Sequence, residues 1–517
     1  MKLRCTLEGV GAALLLLFYY RGLIEPSNLA LFYHGLPAAH LIGGYLVDLL
    51  GIAILLSLLL FALQYVPPVP QKTAQAMFAG LMVWRILDLA VALQTSNWLS
   101  ACWLGMRKQS LVGILLALCI GVHLVPRITL PVIRVVHLCV AATAFSALWV
   151  IPQLIHVALV RPPDKQSASA HPPTMTYKEA DQRIIWILFD ELSYDQTFDH
   201  PFPGVELPHF RRLRSESVSY SKLTPAGFHT QEIIPSLFSG TRIVGIRSTV
   251  GGDFQYEDES RNRWLAYDPQ DTLFGLAHSR GWSSGVDEWT FPFCRILASV
   301  LDSCSWEPSV LLPTELYGAS EGKPVLANAA VLPRMLLDVG ASRSDSAWET
   351  NSRDYRDILG HAEALIGESQ MRFVFLHFPV PHPPGIYDRR SHLLRRGGTY
   401  LDNLVLADDT LGLLLQEIDA TPSSHRTTVI VSSDHSWRIS LYRHGAGWSA
   451  EEERACGGHF DDRPVLLIHF PEQKAAVDVS AAVPELLEHD MIAGMLRGEI
   501  ASPGDLNQLE NKRAGAH

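Results

Sequence analysis

A chain of 517 residues is too long for one ordinary domain and points to two or three. Its apolar share of 48% is unevenly spread: long apolar runs crowd roughly the first 160 residues, and the remainder has the mixture of a globular protein. A net charge of −11, with no basic cluster of the kind that tracks phosphates, argues against nucleic acid as a partner.

Five apolar runs approach the ~20 residues that a membrane-crossing helix needs. They lie near 5–24, 40–66, 74–94, 110–126 and 133–159. The first, CTLEGVGAALLLLFYYRGLI, has the outline of a signal peptide, but no small-residue cleavage site follows and four more runs do. Residues 1–160 are therefore expected to form a polytopic membrane domain of about five helices. Arg85 and Asp88 fall inside the third run, where an isolated charge is costly. Three apart, they share a helix face and predict a mutual ion pair; the alternative is a direct role toward a lipid substrate. Five spans beginning in the cytoplasm place residue 160 onward outside. Arg107 and Lys108 then occupy an outer loop, against the positive-inside tendency, so charge bias does not set the orientation.

Four of the seven cysteines (Cys5, Cys102, Cys119 and Cys139) lie within or beside the spans. Cys294 and Cys304 are close enough in sequence to close a small loop by a disulfide in an oxidising compartment, and Cys456 is left over. No CxxC pair exists, which argues against a metal–thiolate site.

Residues 161–180, rich in Pro, Ser and charge, read as a linker. Beyond it, RIIWILFDEL (183–192), MRFVFLHF (371–378), TTVIVSSD (427–434) and PVLLIHF (464–470) are apolar runs of strand length, as for strands buried on both faces of a parallel sheet. Helical patterns at 207–217, 351–369 and 400–419 alternate with them. This alternation predicts an α/β domain with a mostly parallel sheet over 181–475. From 476 to 517 a polar tail with one amphipathic piece is expected, carrying no chemistry.

Ligands of such sheets bind beyond the carboxyl ends of the strands. Three of the runs end in polar side chains: Asp190 and Glu191, His377 and His382, Asp434 and His435. Two carboxylates and an imidazole on one rim suit zinc or manganese better than calcium, which prefers oxygen alone. A metal of that kind lowers the pKa of a hydroxyl nucleophile, and Thr230, between a Gly/Pro-containing loop and an apolar run, is placed for that part. Each residue also has a plainer reading. Thr230 is explained as an N-cap, Asp190 as a strand-end turn residue, His377 as a packed core histidine, and Asp408 with Asp409 as a solvated helix face or cap.

Taken in order, WILFDELSYD, HTQEIIPSLFSG, FLHFPVPHPPGIYD, LDNLVLADDTLGLLLQEID and SSDHSW resemble the alkaline phosphatase superfamily. The nearer resemblance is to its sulfatase-like, membrane-anchored branch, which includes lipoteichoic acid synthases and phosphoethanolamine transferases. It covers about 185–470, and the apolar region is similar in layout only. The resemblance implies Asp190, Asp434 and His435 as metal ligands. It also implies Thr230, five residues before Pro235, as a nucleophile that touches the metal, and His382 as a substrate-binding histidine. A further histidine follows the Asp-His pair in such enzymes; His444 and His459 both qualify, and His459 is favoured because it precedes the next apolar strand. The role of Glu191 stays open.

Two departures stand out. Asp-His-Gly becomes Asp-His-Ser here, followed by Trp437 and Arg438, the latter suited to a substrate phosphate. The C-x-P-S-R signature of sulfatases is absent, with Thr in place of the modified Cys or Ser. The resemblance thus implies an enzyme of the cell envelope, set in a bacterial inner membrane with its catalytic domain outside. That enzyme transfers or hydrolyses phosphate-ester head groups, with a membrane lipid or lipid-linked donor or acceptor as partner. The rival readings are a sulfatase or simple phosphodiesterase of the same fold, and a non-catalytic binding module.

Overall fold

The structure, a computed structural model, describes residues 3–18, 24, 38–92, 97–160, 182–249, 253–308, 343–443, 447–457 and 461–514. The expected linker 161–180 and the two competing histidines, His444 and His459, lie outside the described residues. The chain divides into two units, an N-terminal helical one and an α/β one.

In the helical unit each apolar run falls on a helix: Leu3–Leu16, Ala38–Ala62, Pro68–Ala92, Asn97–Leu124, and Pro126–Thr143 continued by Ala147–Val160. Of these, three segments are long and apolar enough to cross a membrane: Ile42–Tyr65, Pro68–Val91 and Pro126–Val160. The expected count of five is therefore not met among the described residues. At 1.5 Å per residue, the 14-residue Leu3–Leu16 helix falls short of a ~30 Å hydrocarbon core. Within Asn97–Leu124, the apolar helical segment among the described residues, Gln109–Leu124, is also short of a span. Arg85 and Asp88 form the expected pair, Nη1 to Oδ2 at 2.6 Å, and Arg85 also donates to the carbonyls of Leu15 and Leu16. Buried Glu8 accepts from Arg4 at 2.6 Å and contacts the His137 ring at 2.8 Å. Arg85 with Asp88, and Arg4 with Glu8, are thus paired, as desolvation of a charge requires.

The α/β unit is built on an eight-stranded sheet in the order Val477–Val479, Val218–Tyr220, Leu466–His469, Thr427–Ser432, Arg183–Phe189, Phe373–Phe378, Ser284–Thr290, Ser303–Pro308. Only Leu466–His469 runs against its neighbours. The Arg183–Phe189 strand is buried along its whole length, as its unbroken apolar run demands in the middle of a parallel sheet. Ile185, Ile187 and Phe189 pack under the Arg343–Gly367 and Tyr400–Ala420 helices. On the other side Trp186 sits against Phe238 and Phe375. Arg183, fully buried, donates to the carbonyls of Leu365, Ile366 and Glu368, closing the end of the Arg343–Gly367 helix.

Two sequence expectations change. The segment from 476 is not a tail: Val477–Val479 extends the sheet, Val483–Pro484 pairs with Leu223–Thr224, and Leu487–Arg497 buries Leu487, Met491 and Met495 on one face. Asp408 is not solvated. It is buried and accepts the backbone N–H groups of His209 and Phe210, capping the Pro208–Ser215 helix rather than its own. Cys294 and Cys304 are joined by a disulfide, and Cys456 is free and buried.

Candidate active site at the carboxyl edge of the sheet

Parallel register brings three strand tips level. Leu188 pairs with Ser432 on one side and with His377 on the other. The residues that follow, Asp190 on the first strand and Asp434 with His435 on the next, therefore emerge side by side, all buried. His435 Nε2 lies 3.0 Å from Asp434 Oδ2 and 3.7 Å from Asp190 Oδ1. His435 Nδ1 is 2.9 Å from the Ser436 carbonyl, so that nitrogen carries the hydrogen. The Nε2 lone pair then faces two carboxylate oxygens, neither of which has a hydrogen-bond donor. Lone pairs converging in this way require a proton or a cation between them.

The electrostatics agree. Burial alone would lower the His435 imidazole, but the Asp434 and Asp190 charges overcome it and raise it to about 9. Burial would raise Asp434, yet the His435 ring and the Thr230 hydroxyl hold it well below the usual carboxylate range. Asp190, Asp434 and His435 together can offer three ligand atoms to one metal ion. Two carboxylates and one imidazole, its tautomer fixed by a backbone carbonyl, fit zinc or manganese.

Thr230 begins the Thr230–Ser239 helix, whose N-cap is His229, so its side chain is not the cap. Its Oγ1 lies 3.2 Å from His435 Nε2. The hydroxyl thus joins the same cluster from a different element, at a helix N-terminus whose dipole favours negative charge.

His377, expected as a packed core histidine, is fully buried but also polar in its contacts. Its Nδ1 is 2.7 Å from Glu288 Oε1 and its Nε2 is 3.6 Å from Asp190 Oδ2. Burial opposes its charge, but the flanking Glu288 and Asp190 raise it to about 10. Glu288 comes from Ser284–Thr290, whose adjacent acids hid the strand from a hydrophobic reading. The sequence signal was present only in part: a histidine inside FVFLHF, and two acids between Val286 and Trp289.

Glu191 has φ 66, the left-handed region, uncommon outside glycine and often associated with functional sites. That turn aims its N–H at Asp434 Oδ1, 3.2 Å away. Its buried carboxylate accepts from Arg438 Nε at 2.6 Å and from the Tyr442 hydroxyl at 2.8 Å. The role left open for Glu191 is therefore to hold Arg438 and Tyr442, and Tyr442 was not foreseen. His382 stands beside them, its Nε2 3.3 Å from the Tyr442 oxygen and its ring edge-to-face with Trp289. With its side chain 22% exposed, His382 is open to a substrate as Asp190 and Asp434 are not. Trp437 stacks on Tyr400 at 4.2 Å, and Tyr400 donates to the Glu191 carbonyl. Of the residues singled out from sequence, the structure gathers Asp190, Thr230, His382, Asp434, His435 and Arg438 at one rim.

No family model matches the chain, and no curated protein matches it. Similar solved structures include a phosphonate monoester hydrolase of Agrobacterium radiobacter, 12% identical over 61% of this chain and 74% of that one, with a TM-score of 0.36. A protein of the alkaline phosphatase superfamily from Vibrio parahaemolyticus is 15% identical over 63% and 68%, TM-score 0.37. A 2-O glycosaminoglycan sulfatase is 12% identical over 62% and 71%, TM-score 0.39.

Proposed function

We propose that this chain is a membrane-anchored, metal-dependent hydrolase or transferase of the sulfatase-like branch of the alkaline phosphatase superfamily. It acts on phosphate-ester, lipid-linked head groups through a covalent threonine intermediate. The observation that carries this reading is the meeting of the Thr230 hydroxyl with the His435 nitrogen and two buried carboxylates, Asp190 and Asp434, each with one oxygen that has no hydrogen-bond donor, at the sheet's carboxyl edge. Three helices apolar and long enough to cross a membrane support the anchor, and about five spans remain the fuller reading. The Cys294–Cys304 disulfide supports an oxidising, extracytoplasmic location, as for a catalytic domain outside a bacterial inner membrane.

A zinc or manganese ion held by Asp190, Asp434 and His435 would supply the Lewis-acid charge that lowers the Thr230 pKa and stabilises the transferring phosphoryl group. The Thr230 oxygen, its proton lost to solvent, bonds to phosphorus as the bond from phosphorus to the leaving oxygen breaks. His382, the partly exposed histidine, hands a proton to that oxygen. Water or an acceptor hydroxyl then attacks the phosphothreonine and restores the Thr230 hydroxyl. Two easier displacements replace one hard one. Phosphoryl chemistry is favoured over sulfate because Thr230 stands where a sulfatase carries its modified Cys or Ser.

The test is turnover by the detergent-solubilised full chain, with added zinc or manganese, on bis-aryl phosphate, mono-aryl phosphate and aryl sulfate. Metal-dependent cleavage of a phosphate ester that falls roughly 10³-fold or more in Thr230→Ala is expected. Cleavage of sulfate alone would transfer the assignment to a sulfatase, and silence on all three would favour a binding module.

A further inference from the structure

We infer that Trp289 is a positioning residue for His382: its indole holds the imidazole in the orientation that turns Nε2 toward the leaving oxygen, and so sets how poor a leaving group the enzyme can expel. This rests on the reading of His382 as the proton donor to that oxygen, given above. His435 and His377 are fixed by short polar contacts, His435 Nδ1 at 2.9 Å from the Ser436 carbonyl and His377 Nδ1 at 2.7 Å from Glu288. His382 has no anchor of that kind. Its Nδ1 is buried without a hydrogen-bond partner, and among the described residues its Nε2 has one hydrogen-bonding contact, the Tyr442 oxygen at 3.3 Å. The main chain is held, its N–H donating to the Asp190 carbonyl at 3.1 Å and its carbonyl accepting from Asn403 Nδ2 at 3.0 Å, so only the ring is left to be oriented. That ring meets Trp289 at 5.2 Å with the planes 68° apart, and Tyr442 at 6.1 Å with the planes 81° apart. Both are edge-to-face contacts, a favoured geometry for aromatic pairs.

Trp289 is itself pinned. It is buried, next to last in the Ser284–Thr290 strand, which pairs with Phe373–Phe378, the strand that runs on into the His382 loop. Its side chain is hydrogen-bonded to the buried Asp354 carboxylate of the Arg343–Gly367 helix, and Arg353 holds that carboxylate at 3.1 Å. Directly after it the chain turns at Thr290, φ 74, with the Phe291 N–H donating to the Trp289 carbonyl at 3.0 Å. A three-residue turn of that hand is rare and strained, and a positive φ at a β-branched residue is an outlier. Strain of this kind persists only where the surroundings over-determine it, and it gathers at functional sites. Here Phe291 and Phe293, in ring contact at 4.6 Å, hold the far side of the turn against Phe254 and Phe238. The strained turn thus keeps the indole under the imidazole. A misplacement of about 1 Å at a reacting group costs on the order of 100-fold in rate, and for a proton donor the cost falls on substrates that need the proton.

The experiment is turnover by the detergent-solubilised full chain, with added zinc or manganese, on two bis-aryl phosphates. One releases nitrophenol, a good leaving group; the other releases unsubstituted phenol, a poorer one. His382→Gln is expected to lose kcat/KM mainly on the phenyl ester. Trp289→Leu is expected to follow it, falling about 10- to 100-fold on the phenyl ester and little on the nitrophenyl ester. Trp289→Phe, which keeps an aromatic ring in place, is expected to recover most of that loss. Combining His382→Gln with Trp289→Leu should be no worse than His382→Gln alone, as when one residue acts through the other. Metal affinity, read by chelator competition, should stay at the wild-type value, because Glu288 fixes His377. Asp354→Ala unpins the indole without removing it; its expected loss, about 10-fold and on the phenyl ester alone, keeps the assignment testable should Trp289→Leu not fold. Equal losses on the two esters, additive losses in the double variant, a Trp289→Phe no better than Trp289→Leu, or a fall in metal affinity that matches the fall in turnover would each overturn the assignment. The proton-donor reading stands in those cases if His382→Gln still discriminates between the esters. No discrimination in His382→Gln would overturn both.

Discussion

Glu488 offers a test of how firmly the rim is built from below. Its carboxyl is fully buried, without a hydrogen-bond donor on either oxygen. Burial raises it from 4.5 to about 8, and Ser432 and Trp186, bonded to each other, offset this only in part. Ser432 is the last residue of the strand that delivers Asp434 and His435. The folded protein thus holds a proton on Glu488 that the unfolded chain releases near pH 4.5. With the folded value raised, the stabilisation is complete below the unfolded value and is lost as pH rises to about 8. At about 1.4 kcal/mol per pH unit, this amounts to about 5 kcal/mol across the window. Glu488→Gln removes the titration while keeping the shape. At roughly 2 °C per kcal/mol for a domain of this size, the variant should melt on the order of 10 °C above wild type at pH 8.5 and near it at pH 5. The assay is tryptophan fluorescence on heating the full chain in detergent across that range. Parallel pH profiles for the two proteins would refute the argument, because they would show that Glu488 ionises in the fold at no special cost.

The same geometry makes further demands. His377→Gln should weaken metal binding about 10- to 100-fold, since His377 orients Asp190 from behind; a chelator competition that finds equal affinity would reduce His377 to a space-filling role. Arg183→Met leaves the terminal carbonyls of the Arg343–Gly367 helix unanswered, at a cost of about 2–3 kcal/mol, visible as a lower urea midpoint. Replacing Cys294 and Cys304 together by Ser reopens a loop whose ends are 10 residues apart, worth about 2–3 kcal/mol by chain entropy. Wild type under reducing conditions should match that double variant, and a melting temperature indifferent to both changes would count against the bond.

From the sequence alone, the two-part plan was legible, as were the four apolar strands and the polar residues at their tips. Each of those signals is local. A strand buried on both faces must be apolar along its length, as Ile184–Phe189 is, and the residue just past its end must face the sheet's rim. Asp190, Asp434 and His435 are therefore legible at strand tips, whereas Thr230 stands at a helix start and its part as a nucleophile is implied by the family resemblance. Arg85 and Asp88 were equally readable, because a spacing of three sets them on one helix face.

Tertiary structure decided the rest, and in each case the partner lies far off in sequence. Glu288 and Asp287 look like surface acids until their strand is set beside Phe373–Phe378 and His377 answers one of them. Asp408 looks solvated until the start of the Pro208–Ser215 helix is laid against it. The segment after 476 looks like a tail, yet Glu485 accepts the Ala226 N–H at 2.5 Å and the His489 ring reaches the Leu237 carbonyl at 3.0 Å, so it grips the approach to Thr230 and the far end of its helix. Hydrophobic periodicity records which apolar side chains are buried. It is silent about buried polar groups, because what makes their burial tolerable is a hydrogen bond or a countercharge that only the folded chain brings within reach.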